Sequence, residues 1–563
     1  MSQLANRFPS VRVHRTVRWL VPVAVLLAGF GTFLRMVRPT IPGALSLPAA
    51  QAREVPPTGY GGRVRAPELN GAVGYLNTAG PIHLKDLRGK VVLLDFWCFC
   101  CINCMHVMPD LARLEKKYAN ELVVIGIHSA KFNSEKDTDN IRKAVLRYEL
   151  KHPVVNDANL KIWQAYGVEF WPTFVLIDPD GYIVGKVSSE GHYAALDKAI
   201  GELVRTYRAR RKLNERPLHF QLAREHEKGD SPLFFPGKIL ADPQGHRLFI
   251  ADSTHHRIVI TDLDGRKIAI AGTGQSGKTD GSFAEARFRS PQGMALRDET
   301  LYVADCNNHM LRALDLKART VRTIAGTGHQ GVNRRSGGSA LKTALNSPWD
   351  LCLVGQKLYI AMAGDHQIWA YDLERHHVAP YAGYGYEFIH DGALNEACFA
   401  QPSGITTDGQ YLYVADSEGS AIRKVPLGGS GSVSTIIGNP DVQNCLFLFG
   451  DRDGIGSQAR LQHALGIAYE GGKLYVADTY NDKIKVVNPQ TRRCTTWVGG
   501  TEGSETDPIL SEPGGLSFAG DKLYIADTNA HRIRVVDVST KKVSTLKLEG
   551  VTAPKLAAEQ KER

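Results

Sequence analysis

The first 53 residues contain no acidic side chain, although they contain seven arginines. Removing these seven from the 68 lysines and arginines of the 563-residue chain leaves 61 against 58 aspartates and glutamates, so the remainder is close to neutral. A nucleic-acid-binding domain usually concentrates its basic residues on one folded face. Because the basic excess lies in a short N-terminal segment instead, we expect no nucleic-acid partner.

The same segment lacks an apolar run of the roughly 20 residues that span a bilayer comfortably. Its apolar stretch, Trp19–Leu34, has sixteen uncharged residues and is flanked by arginines on both sides. We predict that residues 1–38 form a basic, uncleaved membrane anchor, and that residues 39–65, which are rich in Pro, Gly and Ala, form a flexible tether.

The positive-inside rule places the rest of such an anchored chain on the extracytoplasmic side, in the periplasm. A secreted protein with a cleaved signal peptide is a weaker alternative, because the small-residue site Ala50-Gln51-Ala52 lies far beyond the apolar stretch. An organelle transit peptide is a further alternative, since such peptides are rich in Arg and poor in acidic residues.

The nine cysteines fall into two groups. Four lie within seven positions of the segment DFWCFCCINCMHVMPD, Asp95–Asp110, between an apolar run of strand length and a helical pattern. A Cys-x-x-Cys pair that opens a helix places Cys101 where backbone N–H groups and the helix dipole stabilise a thiolate. The other five are scattered singly, without the spacing of a disulfide framework or a zinc site, and we predict that they are mostly buried thiols: Cys306, Cys352, Cys398, Cys445 and Cys494.

Thiol–disulfide exchange needs a nucleophilic thiolate and a second thiol that resolves the mixed disulfide. We predict Cys101 as the nucleophile and Cys104, one turn into the helix, as the resolving thiol. Cys98 is interpreted as a small buried residue or an accessory redox thiol, and Cys100 as an alternative resolving partner or a glutathione acceptor. A metal site built from all four is disfavoured because their spacing is compressed, so no metal or cofactor is predicted.

Strand-length apolar runs alternate with helical patterns in residues 66–207, which predicts an α/β domain. The predicted strands and helices are Val91–Phe96, Leu122–His128 and Thr173–Asp178, and Met105–Tyr118 and Asp139–Leu150. Asp95 lies in the first of these strands, and a carboxylate in an apolar strand is expected to have a raised pKa.

The order DFWxxxCxxC, then Pro109 inside the helix, then Trp171-Pro172-Thr173 before a strand, resembles the thioredoxin-like family. The segments APEL and LIDPDG are similar to its membrane-anchored TlpA/redoxin branch. The resemblance implies that Asp95 takes the proton of Cys104 and that Pro172 is a cis proline facing the cysteine pair. It also implies that Trp171 and Thr173 offer an edge for an extended substrate.

Residues 236–549 repeat one pattern six times: Pro-x-Gly, then Leu-Tyr-Val-Ala-Asp, then Thr-Ile-Ala-Gly. Each unit has four short strands, as in one propeller blade, and the units resemble NHL repeats. We therefore predict a six-bladed β-propeller after a charged linker, 208–235, and before a tail, 550–563. Recurring aspartates and histidines are interpreted as blade structure; a metal-binding ring is the alternative for His256, His309, His366 and His531.

The predicted fold class is multidomain: an N-terminal membrane segment, an α/β thioredoxin-like domain and an all-β propeller. This order resembles NHL-repeat-containing redoxin proteins. It implies a membrane-anchored thiol–disulfide oxidoreductase, more a reductant than an oxidant, acting on protein or small-molecule thiols and disulfides, with the propeller as a protein-recognition platform. The alternatives are a propeller scaffold whose redox site is regulatory or vestigial, and a metal-dependent propeller lyase.

Overall fold

The computed structural model describes residues 63–227, 229–500, 503–504 and 507–555. The predicted anchor and almost all of the predicted tether lie outside these ranges, as does the end of the tail. Within the described residues, no helix has the length and apolar character needed to cross a membrane. All of the described residues belong to one compact unit.

The first half of this unit is an α/β domain around a six-stranded sheet of order β1-β4-β3-β2-β5-β6. The central strand β2 is buried along its whole length and runs parallel to β3 and antiparallel to β5. The strands are β1 Gly74–Leu76, β2 Val91–Trp97, β3 Leu122–His128, β4 Val154–Asn156, β5 Thr173–Ile177 and β6 Ile183–Ser188. The helices are α1 Ile102–Lys117, α2 Thr138–Arg147, α3 Lys161–Ala165 and α4 Tyr193–Ala209.

The alternation of side chains along β2 explains how the domain packs. Val91 and Leu93 face α1 and α4, while Val92 and Leu94 face the opposite layer. Asp95 continues the first series and is therefore directed to the side of the sheet that carries α1. The predicted strands and long helices are confirmed to within a few residues.

The second half is a propeller of six antiparallel blades, each built from four consecutive strands. A two-residue strand from the preceding loop extends the outer edge of blades two to five. The blades comprise β7 Pro236–Asp242, β8 Arg247–Asp252, β9 Arg257–Asp262 and β10 Lys267–Ala271; β11 Gly281–Ser282, β12 Pro291–Arg297, β13 Thr300–Asp305, β14 Met310–Asp315 and β15 Thr320–Ala325; β16 Gly338–Ser339, β17 Pro348–Val354, β18 Lys357–Met362, β19 Gln367–Asp372 and β20 His377–Ala382; β21 Gly392–Ala393, β22 Pro402–Thr407, β23 Tyr411–Asp416, β24 Ala421–Pro426 and β25 Ser432–Ile437; β26 Gly454–Ile455, β27 Gly466–Glu470, β28 Lys473–Asp478, β29 Lys483–Val487 and β30 Arg493–Gly499; and, after β31 Gly503–Ser504 and β32 Asp507–Pro508, β33 Pro513–Ala519, β34 Lys522–Asp527, β35 Arg532–Asp537 and β36 Val543–Thr545.

The first strands of the six blades pack side by side around the axis, and β33 closes the ring against β7. Six blades were predicted from the six repeats, and this prediction is confirmed. The segment between the two halves is not simply a solvated linker: its last residues, Phe234 and Phe235, are buried beside Leu146 of α2. A short helix, Ala223–His226, lies in the same segment.

The residue at the recurring histidine position makes the same inter-blade hydrogen bond in all six blades. This residue has a left-handed backbone conformation. Its side chain accepts a hydrogen bond from a backbone N–H just before the first strand of the next blade. The acceptors are His256, His309, His366, Ser420, Asp482 and His531. Serine and aspartate perform this role as well as histidine does, which supports the structural interpretation of the four histidines.

The recurring aspartates also have a structural role. Each accepts a hydrogen bond from a backbone N–H that lies just before the first strand of its own blade. In blade three the sulfur of Met362 accepts the corresponding bond from the N–H of Asn346 at 3.4 Å. The aspartates are Asp252, Asp305, Asp416, Asp478 and Asp527.

Candidate thiol site

The four clustered cysteines occupy the turn between β2 and α1. Cys101 is the residue that caps the N-terminus of α1, and its carbonyl accepts the N–H of Met105 at 3.1 Å. Cys104 lies in the first helical turn and is fully buried, as are Cys98 and Cys100. Cys101 is the partly exposed thiol of the four, so it is the one that a substrate can reach first.

The four thiols form one cluster centred on Cys98. Its Sγ lies 3.3 Å from that of Cys100, and its side chain packs in the same cluster as those of Cys101 and Cys104. Burial raises the pKa of Cys98, but the hydrogen bonds from the other three thiols outweigh burial and hold that pKa well below its ordinary value.

The same arrangement acts on Cys101, the predicted nucleophile. A hydrogen bond with Cys104 lowers the pKa of Cys101, but its contact with Cys98 and its burial outweigh that effect, and the pKa is raised well above the ordinary thiol value. Burial, followed by the contacts with Cys101 and Cys98, raises the pKa of Cys104 as well. The helix N-terminus is present as predicted, but Cys98 competes for the negative charge.

Asp95 is 3% exposed. Burial raises the pKa of its carboxyl group to about 7, with a smaller opposing effect from His152. Its Oδ1 atom has no hydrogen-bond partner among the described residues, so the group is free to take up a proton. The predicted rise in the pKa of Asp95 is confirmed.

The bond between Trp171 and Pro172 is cis, as the resemblance implied. Trp171 is partly exposed; its indole N–H donates to the carbonyl of Ser129 at 2.9 Å, and its ring packs on Trp163. Thr173 is fully buried, and its hydroxyl donates to the carbonyl of Phe170 at 2.7 Å. Of the two residues predicted to bind substrate, Trp171 is therefore accessible and Thr173 is not.

One propeller residue, Gln401, holds the backbone on both sides of Cys101. Its side-chain oxygen accepts the N–H of Ile102 at 2.8 Å, and its side-chain amide donates to the carbonyl of Cys100 at 2.9 Å. The backbone of Gln401 is itself held by His366, which accepts its N–H at 3.1 Å. The thiol turn is thus part of the contact between the two halves of the unit.

The other side of the turn is held from within the α/β domain. Glu135 is fully buried and accepts three backbone N–H groups, those of Cys100, Lys131 and Phe132, each at 2.9 Å. The hydroxyl of Tyr148 donates to the carbonyl of Phe99 at 2.8 Å. Every residue from Phe99 to Ile102 except Cys101 therefore has a backbone group fixed by a side chain.

Ion pairs and aromatic contacts between the α/β domain and the propeller surround the thiol turn. Lys131 pairs with Glu418, and Arg147 pairs with Glu512 at 2.7 Å; three of these four side chains are less than a tenth exposed. Phe132 packs between propeller rings, with its ring centre 4.6 Å from that of Phe449. All six blades contribute a contact, through Thr254, His309, Ser347, Gln401, Gln462 and Glu512 in turn.

A cavity of about 1420 Å³ lies between α1 and the mouth of the propeller channel. Met105 and Met108 line it from the helix, and Gln401 and Lys238 line it from the propeller. Lys238 crosses the channel, where its ammonium group donates to the carbonyl of Ser403 at 2.8 Å. The propeller face toward the thiols is therefore covered by the α/β domain, with a partly open space left between them.

One group of potential metal ligands stands out among the described residues. Donor atoms of Cys98, Cys100 and Glu135 lie within 4.8 Å of one another. The Glu135 carboxylate already accepts three backbone N–H bonds, and these bonds explain its position in the turn.

The propeller residues that hold the thiol turn were not predicted from the sequence. Gln401 and Glu512 directly precede the first strand of their blades, where blades two and three have Ser290 and Ser347. A larger polar side chain at this repeat position was the available signal. Glu135 had no comparable signal, because its partners are backbone groups brought together by folding.

The thioredoxin-like family model matches residues 89–183. The chain thus combines a thioredoxin-like domain with a six-bladed propeller of NHL repeats. It is 45% identical over 431 residues to Protein SUPPRESSOR OF QUENCHING 1, chloroplastic, of Arabidopsis thaliana, a match that covers 74% of this chain and 41% of that protein.

The chain is also similar to NHL repeat-containing protein 2 of Gallus gallus, with 42% identity over 450 residues, 75% of this chain and 62% of that protein. Thiol-disulfide oxidoreductase ResA of Bacillus cereus is 37% identical over 109 residues, 19% of this chain and 61% of that protein. The chain therefore spans less than two thirds of the length of each of these relatives.

Proposed function

We propose that the protein is a thiol–disulfide oxidoreductase in which Cys101 is the nucleophile and Cys104 the resolving thiol. The observation that carries this proposal is the placement of the two thiols: Cys101 is partly exposed at the N-terminus of α1, and Cys104 is buried one turn further on. The similar ResA protein is named as a thiol–disulfide oxidoreductase.

The reaction begins when the Cys101 thiolate attacks a substrate disulfide and releases one substrate thiol. Cys104 then attacks the mixed disulfide, releases the second substrate thiol and closes the Cys101–Cys104 disulfide. Asp95 takes the proton that Cys104 must lose, since a carboxyl group with a pKa of about 7 exchanges protons readily near neutrality.

We propose that the protein acts as a reductant. A low thiol pKa stabilises the reduced form of a dithiol and makes its disulfide a strong oxidant. Here the hydrogen bond with Cys104 lowers the pKa of Cys101, but contact with Cys98 and burial outweigh it and raise that pKa. The raised pKa favours the disulfide form and therefore favours giving electrons to the substrate.

The propeller supports this role by enclosing the site. Gln401 fixes the thiol turn, and contacts from all six blades cover the side of the α/β domain that carries this turn. We propose that protein or small-molecule substrates enter beside Trp171, and that the N-terminal segment anchors the protein with both domains on the extracytoplasmic side. Membrane fractionation of the full chain, with and without residues 1–38, tests the anchor.

Activity measurements test the chemistry. Reduction of insulin disulfides should fall to background in Cys101→Ser, whereas Cys494→Ala, a change at a buried cysteine of blade five, should leave it unchanged. Full activity in Cys101→Ser would contradict the proposal.

A further inference from the structure

Cys98 and Cys100 are the two thiols of the cluster that the proposed reaction does not use. Their Sγ atoms lie 3.3 Å apart, whereas the bond length of a disulfide is about 2.0 Å. Both side chains have no exposed surface. The two sulfurs are thus close enough to bond after a small side-chain movement, and solvent does not reach them directly.

The geometry also connects this buried pair to the outer pair. All four cysteines pack in one side-chain cluster, and Cys101 and Cys104 act on the pKa of Cys98 as Cys100 does, so the buried pair lies beside the two residues assigned to catalysis. The hydrogen bonds that lower the pKa of Cys98 keep a nucleophile at this central position. A disulfide between Cys101 and Cys104 would therefore form next to a thiolate that can attack it.

The backbone around the buried pair is held in place from both domains. Glu135 accepts the N–H of Cys100, and Gln401 donates to its carbonyl. These two bonds hold the backbone of Cys100 in place while the outer pair reacts. A packing role alone does not require sulfur at both positions, in contact with each other and with the outer pair.

We propose that Cys98 and Cys100 form a second, buried redox pair that re-reduces the Cys101–Cys104 disulfide by internal exchange. The proposal rests on the proposed function, because that reaction creates the outer disulfide. It gives each fully reduced chain enough electrons to reduce two substrate disulfides rather than one.

The exchange balances without an outside reductant. The Cys98 thiolate attacks Sγ of Cys101, and Cys104 leaves as a thiolate. Cys100 then attacks Sγ of Cys98, and Cys101 leaves. One S–S bond has broken and one has formed, and two electrons have moved from the buried pair to the outer pair. Cys100 gives up one proton, and Asp95 returns the proton that it took from Cys104, so that both outer cysteines end as thiols.

A single-turnover experiment on the full chain tests this inference. The protein is reduced, freed of reductant and mixed with excess glutathione disulfide; free thiols are then alkylated and the protein is cut with trypsin. The peptide 91–113 contains the four clustered cysteines and no others. Relative to the reduced peptide before alkylation, each disulfide formed lowers the mass by two hydrogens and each remaining thiol adds one alkyl group. Fragmentation of the peptide identifies the linked pairs.

The wild-type peptide should lose four hydrogens, with links from Cys98 to Cys100 and from Cys101 to Cys104, and two equivalents of glutathione disulfide should be consumed. Cys98→Ala and Cys100→Ala should each lose two hydrogens and consume one equivalent. Cys101→Ser should keep Cys98 and Cys100 reduced. Cys494→Ala should behave as the wild type, and thermal unfolding of each variant checks that it is folded.

A wild-type peptide that loses two hydrogens, all in the Cys101–Cys104 link, would overturn the inference and leave the proposed function intact. A link from Cys98 to any residue other than Cys100 in the final product, or oxidation of the buried pair in Cys101→Ser, would also overturn it. A wild-type peptide that loses no hydrogens would contradict the proposed function itself.

Discussion

Gln401 accepts a hydrogen bond at 2.8 Å from the backbone N–H of Ile102, a residue 299 positions earlier in the chain. Ile102 is the first residue of α1 and directly follows Cys101. N–H groups in the first turn of a helix are the ones that stabilise a thiolate at its N-terminus. The propeller therefore contacts the α/β domain at the point where the chemistry of Cys101 is set.

Gln401→Ala should loosen the thiol turn. It leaves two buried backbone groups unpaired, the N–H of Ile102 and the carbonyl of Cys100, at a cost of about 1–3 kcal/mol each. We expect faster alkylation of Cys101 by iodoacetamide and a lower midpoint of thermal unfolding. Gln462→Ala is the matched control, because Gln462 accepts an N–H of the α/β domain, that of Asn133, away from the cysteines. Equal alkylation rates in the two variants would contradict the role of Gln401.

Asp95→Asn should change both stability and chemistry. Burial raises the pKa of Asp95 from 3.8 to about 7, so the folded state binds this proton more tightly than the unfolded state does. The charged form of Asp95 therefore destabilises the folded state. This loss of stability begins above about pH 4 and is complete above about pH 7, where it reaches roughly 4 kcal/mol at about 1.36 kcal/mol for each pKa unit. The variant should therefore be more stable than the wild type at pH 8 and equally stable below pH 4.

The same variant should resolve mixed disulfides slowly, because Cys104 loses its proton acceptor. The measurement is the decay of the Cys101 mixed disulfide against pH. In the wild type the decay rate should rise through about pH 7, and in Asp95→Asn that rise should be absent. An unchanged pH profile would remove Asp95 from the proposed reaction.

The Lys131–Glu418 pair should make a large contribution to the contact between the two domains. Its side chains are 6% and 3% exposed, and removing one partner of a buried pair typically costs about 3–5 kcal/mol. Lys131→Met should therefore lower stability strongly, whereas the double variant with Glu418→Gln should recover most of the loss. Urea unfolding of the two single variants and the double variant measures this coupling, and additive effects would contradict it.

The same pair should make the free energy of unfolding depend on pH in the acid range. Burial alone raises the pKa of Glu418, but attraction to Lys131 outweighs burial and lowers that pKa to about 2, from 4.5. Its contribution is present above about pH 4.5 and is lost as the pH falls toward 2. The Glu418→Gln variant should show a smaller loss of stability over this window than the wild type.

His366 should act as a hydrogen-bond acceptor rather than as a metal ligand. Burial lowers the pKa of its imidazole to about 3, so the ring is neutral and its Nδ1 accepts the N–H of Gln401. His366→Asn keeps an acceptor and a residue type that tolerates the left-handed conformation. His366→Leu should lower stability by about 1–3 kcal/mol, and His366→Asn should lower it less. Equal losses, measured by thermal unfolding, would contradict this role.

Local patterns were sufficient to predict most of the fold. The apolar run before the cysteines became the central strand β2, Val91–Trp97, and the helical spacing after them became α1, Ile102–Lys117. The six repeats predicted six blades because each unit carries its own strands and turns. These elements depend on short stretches of sequence, in which the period of the apolar residues determines the structure.

The electrostatics of the thiol site could not be predicted in this way. Cys98 was expected to be a small buried residue or an accessory redox thiol; it is buried, but it is also the centre of the cluster and raises the pKa of Cys101, which lowers the thiolate fraction of Cys101. This outcome depends on where a turn places four sulfurs. The part played by Gln401 depends on packing between segments 299 positions apart, for which no local pattern exists.

The most direct test of the account is to trap the reaction at Cys101. Cys104→Ser removes the resolving thiol, and Cys98→Ala is added so that the thiol next to Cys101 does not complete the exchange. After incubation with glutathione disulfide, the 91–113 peptide should carry one glutathione, attached to Cys101, and the further change Cys101→Ser should abolish the adduct. A peptide without glutathione, or one with glutathione on Cys100 instead of Cys101, would contradict the assignment of Cys101 as the nucleophile.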